Sequence, residues 1–205
     1  MSRIRTLGRR LRDDERGATI LEFGILLVPM SVLLLGMLDV GYMMYVKSTM
    51  QGALNDVARA ATVEKPVFTS QGSDVSAKID AAIKGRMNKL VKGGTYTITK
   101  TSYYQLSGIG KAEKMTKDAN SNGKVDKNDC WEDVIKNGTF DLSGGKTGVG
   151  GADDAVLYTV NVKRDRFTPM AGLVGMPAKY SISVKTIVRN QPFADQPKPA
   201  EACKP

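Results

Sequence analysis

Residues 17–38 read Gly-Ala-Thr-Ile-Leu-Glu-Phe-Gly-Ile-Leu-Leu-Val-Pro-Met-Ser-Val-Leu-Leu-Leu-Gly-Met-Leu, and their reading decides the fold. Residues 23–38 carry no charge, and Glu22 stands one place before them. At the helical rise the uncharged run covers roughly 24 Å, short of the roughly 30 Å hydrocarbon core of a bilayer. Adding residues 18–21 completes the span and takes Glu22 into it. A carboxylate at membrane depth costs about 2.5–3.5 kcal/mol at mid-helix, and less toward an end, so Glu22 points to function. Pro29 would kink a soluble helix but is tolerated in a transmembrane one.

Ahead of this stretch lie Arg3, Arg5, Arg9, Arg10, Arg12 and Arg16, against Asp13, Asp14 and Glu15. An arginine excess stays on the cytoplasmic side, which sends everything after the apolar run across the membrane. A secretory signal would need a small-residue cleavage site after the apolar stretch. Asp39-Val-Gly-Tyr-Met-Met-Tyr follows instead. The expectation is a retained membrane helix, uncleaved or trimmed only of its leader.

Beyond the span, Val46, Met50, Leu54, Val57 and Ala61 recur at intervals of three and four, with Lys47, Gln51, Asn55 and Arg59 around the rest of the turn. This is an amphipathic continuation that needs a partner surface. Pro66 is the expected stop. The organisation is therefore a basic cytoplasmic leader over 1–17, a membrane helix with amphipathic continuation over 18–65, an extracytoplasmic domain over 66–191 and a proline-containing tail over 192–205.

Within that domain a second amphipathic helix is expected over 76–91, with Ile79, Ala82, Ile83, Met87, Leu90 and Val91 apolar and Gly93-Gly94 ending it. Residues 95–106 are rich in β-branched and aromatic side chains and read as a strand. In 155–163, Val156, Tyr158, Val160 and Val162 alternate with polar residues; in 180–188, Tyr180, Ile182, Val184 and Val188 do the same. Such half-buried strands suit an antiparallel sheet packed on a helix. The fold class is α+β, with the long N-terminal helix packed on a small antiparallel sheet. Residues 167–178 are uncharged and apolar, which fits a buried connection or a membrane-proximal or subunit-contact surface. The tail is expected to be extended and mobile unless Cys203 is bridged.

The net charge is +9, of which the six arginines and three acids of the leader give +3 and the remainder +6. Those later charges are spread over lysines without a dense block, so no nucleic-acid partner is expected. The chain has no histidine, which excludes His-type zinc sites and serine–histidine or cysteine–histidine nucleophiles. The cluster Gly144-Gly-Lys-Thr-Gly-Val-Gly-Gly151 lacks the spacing and the preceding strand of a phosphate-binding loop and reads as a flexible loop. No catalytic set is assigned, and the chain is not expected to be an enzyme. Cys130 and Cys203 both follow the span, in a compartment where disulfides persist, so a bridge between them is open to formation.

Residues 118–129 follow the twelve-residue calcium-loop pattern. Asp118, Asn120, Asn122, Asp126 and Asp129 put side-chain oxygens at positions one, three, five, nine and twelve. Gly123 holds position six, where the chain must turn sharply, and Lys124 offers its carbonyl at seven. Asp129 stands where a bidentate glutamate is usual, which shortens the reach of the last ligand. The competing reading is a solvated Asn/Gly turn. A calcium ion here would be structural, ordering a loop with almost no apolar residues. A degenerate echo follows over 133–141, with Ile135 in place of a ligand, and no second ion is expected there.

The string Arg16-Gly17-Ala18-Thr19-Ile20-Leu21-Glu22-Phe23, with Pro29, Gly36, Asp39 and Gly41 behind it, resembles the TadE-like family of the tight-adherence (type IVc) pilus machinery. A second likeness lies in Ala152-Asp153-Asp154-Ala155-Val156-Leu157-Tyr158-Thr159-Val160, Pro169-Met170-Ala171-Gly172 and Val188-Arg189-Asn190. The resemblance implies a pilin-like pseudopilin, cut by a prepilin peptidase between Gly17 and Ala18, with Glu22 becoming the fifth residue and pairing with a neighbouring subunit's N-terminal amine. It implies the membrane, other pilin-like subunits and the pilus assembly platform as partners. The expected place is the bacterial inner membrane, single-pass, with the C-terminal domain periplasmic or on the pilus surface. From another class comes a membrane-anchored, calcium-stabilised surface binding module that enters no filament.

Overall fold

The structure, a computed structural model, describes residues 18–68, 72–166, 172, 175 and 177–205. The basic leader, Gly17, and most of the apolar 167–178 stretch with its part of the family likeness lie outside the described residues. The chain divides into two compact units, Met1–Met44 with Asp165–Lys179, and Tyr45–Arg164 with Tyr180–Pro205.

Helix α1 runs unbroken from Ala18 to Ala60 and passes through Pro29. Two of its hydroxyls are satisfied within the helix: Ser31 Oγ donates to Leu27 O at 2.6 Å and Thr49 Oγ1 to Tyr45 O at 2.7 Å. For Ser31, within the apolar run, returning the hydroxyl to the carbonyl one turn back suits a helix without water around it. In the first unit the apolar side chains of α1, among them Ile20, Phe23, Ile25, Leu33 and Leu38, point out of the fold. α1 is long and apolar enough to cross a membrane.

In the second unit the same helix changes character. Val46, Met50, Leu54, Val57 and Ala61 are all buried, together with Ala58. Burying such a side chain contributes roughly 1.5–3 kcal/mol, so this stripe anchors the domain. α1 ends at Ala60, short of the stop expected at Pro66. The Ala61 N–H is shared between Val57 O and Ala58 O at 3.0 and 3.1 Å, which tightens the last turn. Gln191 N then donates to Thr62 O at 2.8 Å, so a tertiary contact takes the exiting chain before proline is reached.

Helix α2, Val75–Leu90, begins where the Asp74 carboxylate accepts from Ala77 N at 2.6 Å, an N-cap that satisfies a free donor. Ile79, Ile83, Met87 and Val91 are buried. Gly93, at φ +77°, supplies the left-handed turn that leads into the sheet.

Seven strands follow among the described residues: β1 Thr95–Tyr103, β2 Met115–Lys117, β3 Cys130–Asp133, β4 Gly145–Thr147, β5 Ala155–Asp165, β6 Lys179–Arg189 and β7 Ala200–Cys203. The larger sheet has the order β4-β1-β5-β6. β1 and β5 are antiparallel, with Tyr96 opposite Val162 and Ser102 opposite Val156. Val156, Tyr158, Val160 and Val162 of β5 and Tyr180, Ile182 and Val184 of β6 are buried, as the alternation requires. The α1 segment is tied to this sheet by Gln51 Nε2, which donates to Lys185 O at 2.8 Å, and to α2 by the Arg86–Asp56 ion pair at 3.0 Å. The result is the expected α+β layer arrangement.

One inward position of β1 is a lysine. Lys100 is only 7 % exposed, and its ammonium lies 2.7 Å from Asp80 and 3.0 Å from Ser76 O on α2. A buried ammonium requires such partners, and here they join sheet to helix.

The Gly144–Gly151 cluster is not the flexible loop its composition suggested. Residues Gly145–Thr147 form β4, paired antiparallel to β1 with Gly145 opposite Tyr103. A Cβ on Gly145 would lie 2.5 Å from Thr101 Cγ2 and 2.8 Å from the Tyr103 ring. The glycine is therefore there for close approach. Farther along, Asn190 Nδ2 pins the loop by donating to Val149 O at 2.9 Å and Gly151 O at 2.7 Å.

The smaller sheet has the order β2-β3-β7. Its third strand is the C-terminal tail, with Cys130 opposite Cys203 in register and the two joined in a disulfide. The bridge condition for an ordered tail is met, and the tail belongs to the second unit.

Candidate functional site

Glu22 occupies the fifth position of α1, four residues after its first, and its side chain is exposed. Among the described residues no cation pairs with it. Ala18, the residue after the expected cut, opens the helix, so a cut before it would leave the new α-ammonium one helical turn from the carboxylate. On one helix that amine and Glu22 lie at i and i+4. In a bundle of parallel helices each carboxylate can meet a neighbour's amine.

The first unit contains a second charged group that sequence reasoning passed over. Asp39, on α1, forms an ion pair with Arg166 at 2.6 Å, and the two side chains are 9 % and 13 % exposed. Arg166 also donates from Nε to Pro177 O at 2.8 Å and from its backbone N–H to Ala178 O at 3.0 Å. Asp39 lies twenty-one residues beyond Ala18, about 32 Å along the helix and close to one bilayer core thickness. The available signal was a lone acid directly after an apolar run; its partner, 127 positions away, had none.

The loop over 118–129 is held between β2 and β3 rather than between helices. Asp118 accepts from Asn122 N at 3.2 Å and Gly123 N at 2.8 Å. Gly123, at φ +72°, makes the turn expected of the sixth position, and Ser121 before it is also left-handed at φ 56°. Asn120 Oδ1 accepts from Asn122 N at 3.2 Å, and Asn122 Oδ1 from Lys124 N at 2.7 Å. Both asparagine amides donate to Asp126 Oδ2, and the hydrogen bond from Asn122 is the largest reason its carboxyl is held below the usual range. Asp129 is fully buried and closes the loop, accepting from Ala119 N at 2.7 Å and Asp126 N at 2.6 Å.

This arrangement brings Asp118, Asn120, Asn122, Asp126 and Asp129 into one cage. Among the described residues no three His, Cys, Asp or Glu side chains converge as a ready metal group. The donor set fits a hard cation through its mixture of carboxylate, amide and carbonyl oxygens. Binding would require the Asn120 and Asn122 amides to turn their oxygens toward Asp126 in place of their N–H groups. The far end of the loop is laced to the C-terminus: Asn128 N donates to Lys204 O and Lys204 N to Asp129 O, both at 2.9 Å, beside the Cys130–Cys203 bridge.

The family model described as TadE-like protein matches residues 17–59, which are the Glu22 turn, the apolar span and most of the amphipathic continuation. The second likeness, over 152–190, lies outside the matched residues. No curated protein and no solved structure matches the chain. Over residues 17–59 the chain is similar to the TadE-like proteins of the tight-adherence pilus system.

Proposed function

We propose that this protein is a pilin-like (pseudopilin) component in assembly of a tight-adherence pilus, anchored by a single pass of α1 with its C-terminal domain periplasmic. The observation that carries the reading is Glu22 on the first turns of a long apolar helix within the TadE-like segment. A carboxylate at that depth needs a cation, and a freshly cut α-ammonium needs an anion. Prepilin peptidase cutting between Gly17 and Ala18 supplies the amine. Helices then bundle through the apolar half, and Glu22 fixes their register. Partners are other pilin-like subunits and the assembly platform. The test is complementation of a deletion strain: the wild-type gene restores pili, and Glu22→Ala, though present in the membrane at wild-type level, does not. Wild-type piliation by that variant would overturn the reading.

The loop over 118–129 completes the proposal as a structural calcium site, of the 10⁻⁴–10⁻³ M class typical of extracellular modules. The buried closing carboxylate of Asp129 and the left-handed Gly123 support it. Millimolar calcium is expected to raise the melting temperature, and a chelator to reverse the rise. An unchanged melting temperature would count against the site.

A further inference from the structure

The segment 133–141 repeats most of the hydrogen-bonding plan of 118–129, fifteen residues later. Asp133 takes the place of Asp118: it accepts from Asn137 N at 3.2 Å and Gly138 N at 2.8 Å, the same two distances found at Asn122 and Gly123. Asn137 takes the place of Asn122, accepting from Thr139 N at 2.8 Å and donating to Asp141, which stands for Asp126. The backbone follows: Lys136 and Gly138 are left-handed at φ 62° and 73°, as Ser121 and Gly123 are at 56° and 72°.

Two positions differ, and they differ together. Ile135 replaces the third-position ligand Asn120. The closing carboxylate, which Asp129 provides from the same loop, comes here from Glu113, twenty residues upstream. Glu113 Oε1 accepts from Val134 N at 2.8 Å and Oε2 from Asp141 N at 3.1 Å, the equivalents of Ala119 N and Asp126 N. Glu113 is buried at 5 % exposure and its Oε1 also accepts from Ile135 N at 3.2 Å. An aromatic contact adds to the closure, Phe140 lying edge-on to the buried Trp131 with ring centroids 6.0 Å apart.

We propose that the two loops are one cage closed by carboxylates of different origin: Asp129, from within 118–129, completes a site for a divalent cation, and Glu113, from outside 133–141, holds that loop without a cation. Glu113 is thus a positioning residue, and the second loop is a permanently folded clamp beside the disulfide-bonded sheet. The cation half rests on the calcium reading above; the Glu113 half does not. The physical difference is reach. The contacts that the Asp118 and Asp129 carboxylates make within the first loop span ten residues or fewer, and longer reach comes from Lys204 and the disulfide at its far end. The Glu113 contacts span 21 to 28 residues and are buried, so they tie two distant segments in a low-dielectric site where such bonds are strong.

Hydrogen exchange on the detergent-solubilised full chain separates the two halves. In the wild type, replacing millimolar calcium by chelator is expected to speed exchange at residues 119–126 and leave 134–141 unchanged. Glu113→Gln is expected to speed exchange at 134, 135 and 141 about tenfold or more with calcium present, with β1 and β5 amides unchanged. Should β1 and β5 also accelerate, Glu113→Asp, which keeps the charge one carbon shorter, is expected to loosen 134–141 alone. Calcium-dependent protection at 134–141 would overturn the proposal by making the second loop a cation site. Wild-type exchange at 134–141 in both variants would overturn it by removing Glu113's role. No calcium effect at 119–126 would defeat the calcium reading, while the Glu113 arms still decide the second loop.

Discussion

Asp133 shows how a single carboxylate can govern the stability of a segment with few apolar residues. Burial works to raise its pKa, but N–H donors from Gly138, Asn137 and Lys136 and the charge of Lys146 together hold it below the usual carboxylate value near 3.8. A depressed folded-state value means that the ionised form stabilises the fold, fully so above the unfolded value. As pH falls below about 3.8 that contribution is lost. Near-ultraviolet circular dichroism of Trp131, which adjoins this loop through Phe140, is expected to weaken in that window, and Asp133→Asn to lose the acid-dependent change. An identical acid transition in the variant would contradict this. At this scale the sequence was only partly legible. The spacing of Asp118, Asn120, Asn122, Gly123, Asp126 and Asp129 was enough to propose their cage. Glu113 and the Asp39–Arg166 pair were not legible, because each joins residues whose separation leaves no local pattern.

The elements divide along the same physical line. Wherever one face is buried continuously, period alone was sufficient: Val46, Met50, Leu54 and Val57 of α1, Ile79, Ile83 and Met87 of α2, and the β5 alternation lie in the core, whereas in β6 Tyr180, Ile182 and Val184 are buried and Val188 is only half-buried. Short edge strands were missed, since three or four residues cannot display a period. β4 is the plainest case, its glycines having suggested mobility where the fold needs room. Gly145→Ala would press a methyl group to 2.5 Å from Thr101 Cγ2 and 2.8 Å from the Tyr103 ring. Overpacking of that kind costs about 1–3 kcal/mol, which urea unfolding would report as a lower midpoint at unchanged slope. An unshifted midpoint would show that the β1–β4 edge yields freely. β7 was hidden for another reason: a strand of Ala-Glu-Ala-Cys has little β-propensity and is held by its partner β3 and the disulfide.

For the whole molecule, the sequence spoke most clearly about the division of labour along α1. One stretch exposes apolar side chains in the isolated chain, and the next buries them in its own domain. A soluble protein rarely leaves so contiguous an apolar surface uncovered. A helix long and apolar enough to cross a membrane accounts for it, and the TadE-like match over 17–59 falls on that part of the chain. Within that surface, pairing with a neighbour's N-terminal amine would give Glu22 a chemical role. Zero-length carbodiimide coupling in native membranes reads that chemistry directly, because it converts a paired carboxylate and amine into an amide with loss of water. The expected product, found by mass spectrometry, joins a peptide containing Glu22 to the N-terminal amine of a neighbouring subunit, while this chain's own first residue is Ala18. A chain beginning at Met1 or Ser2, with Glu22 unlinked, would contradict the account.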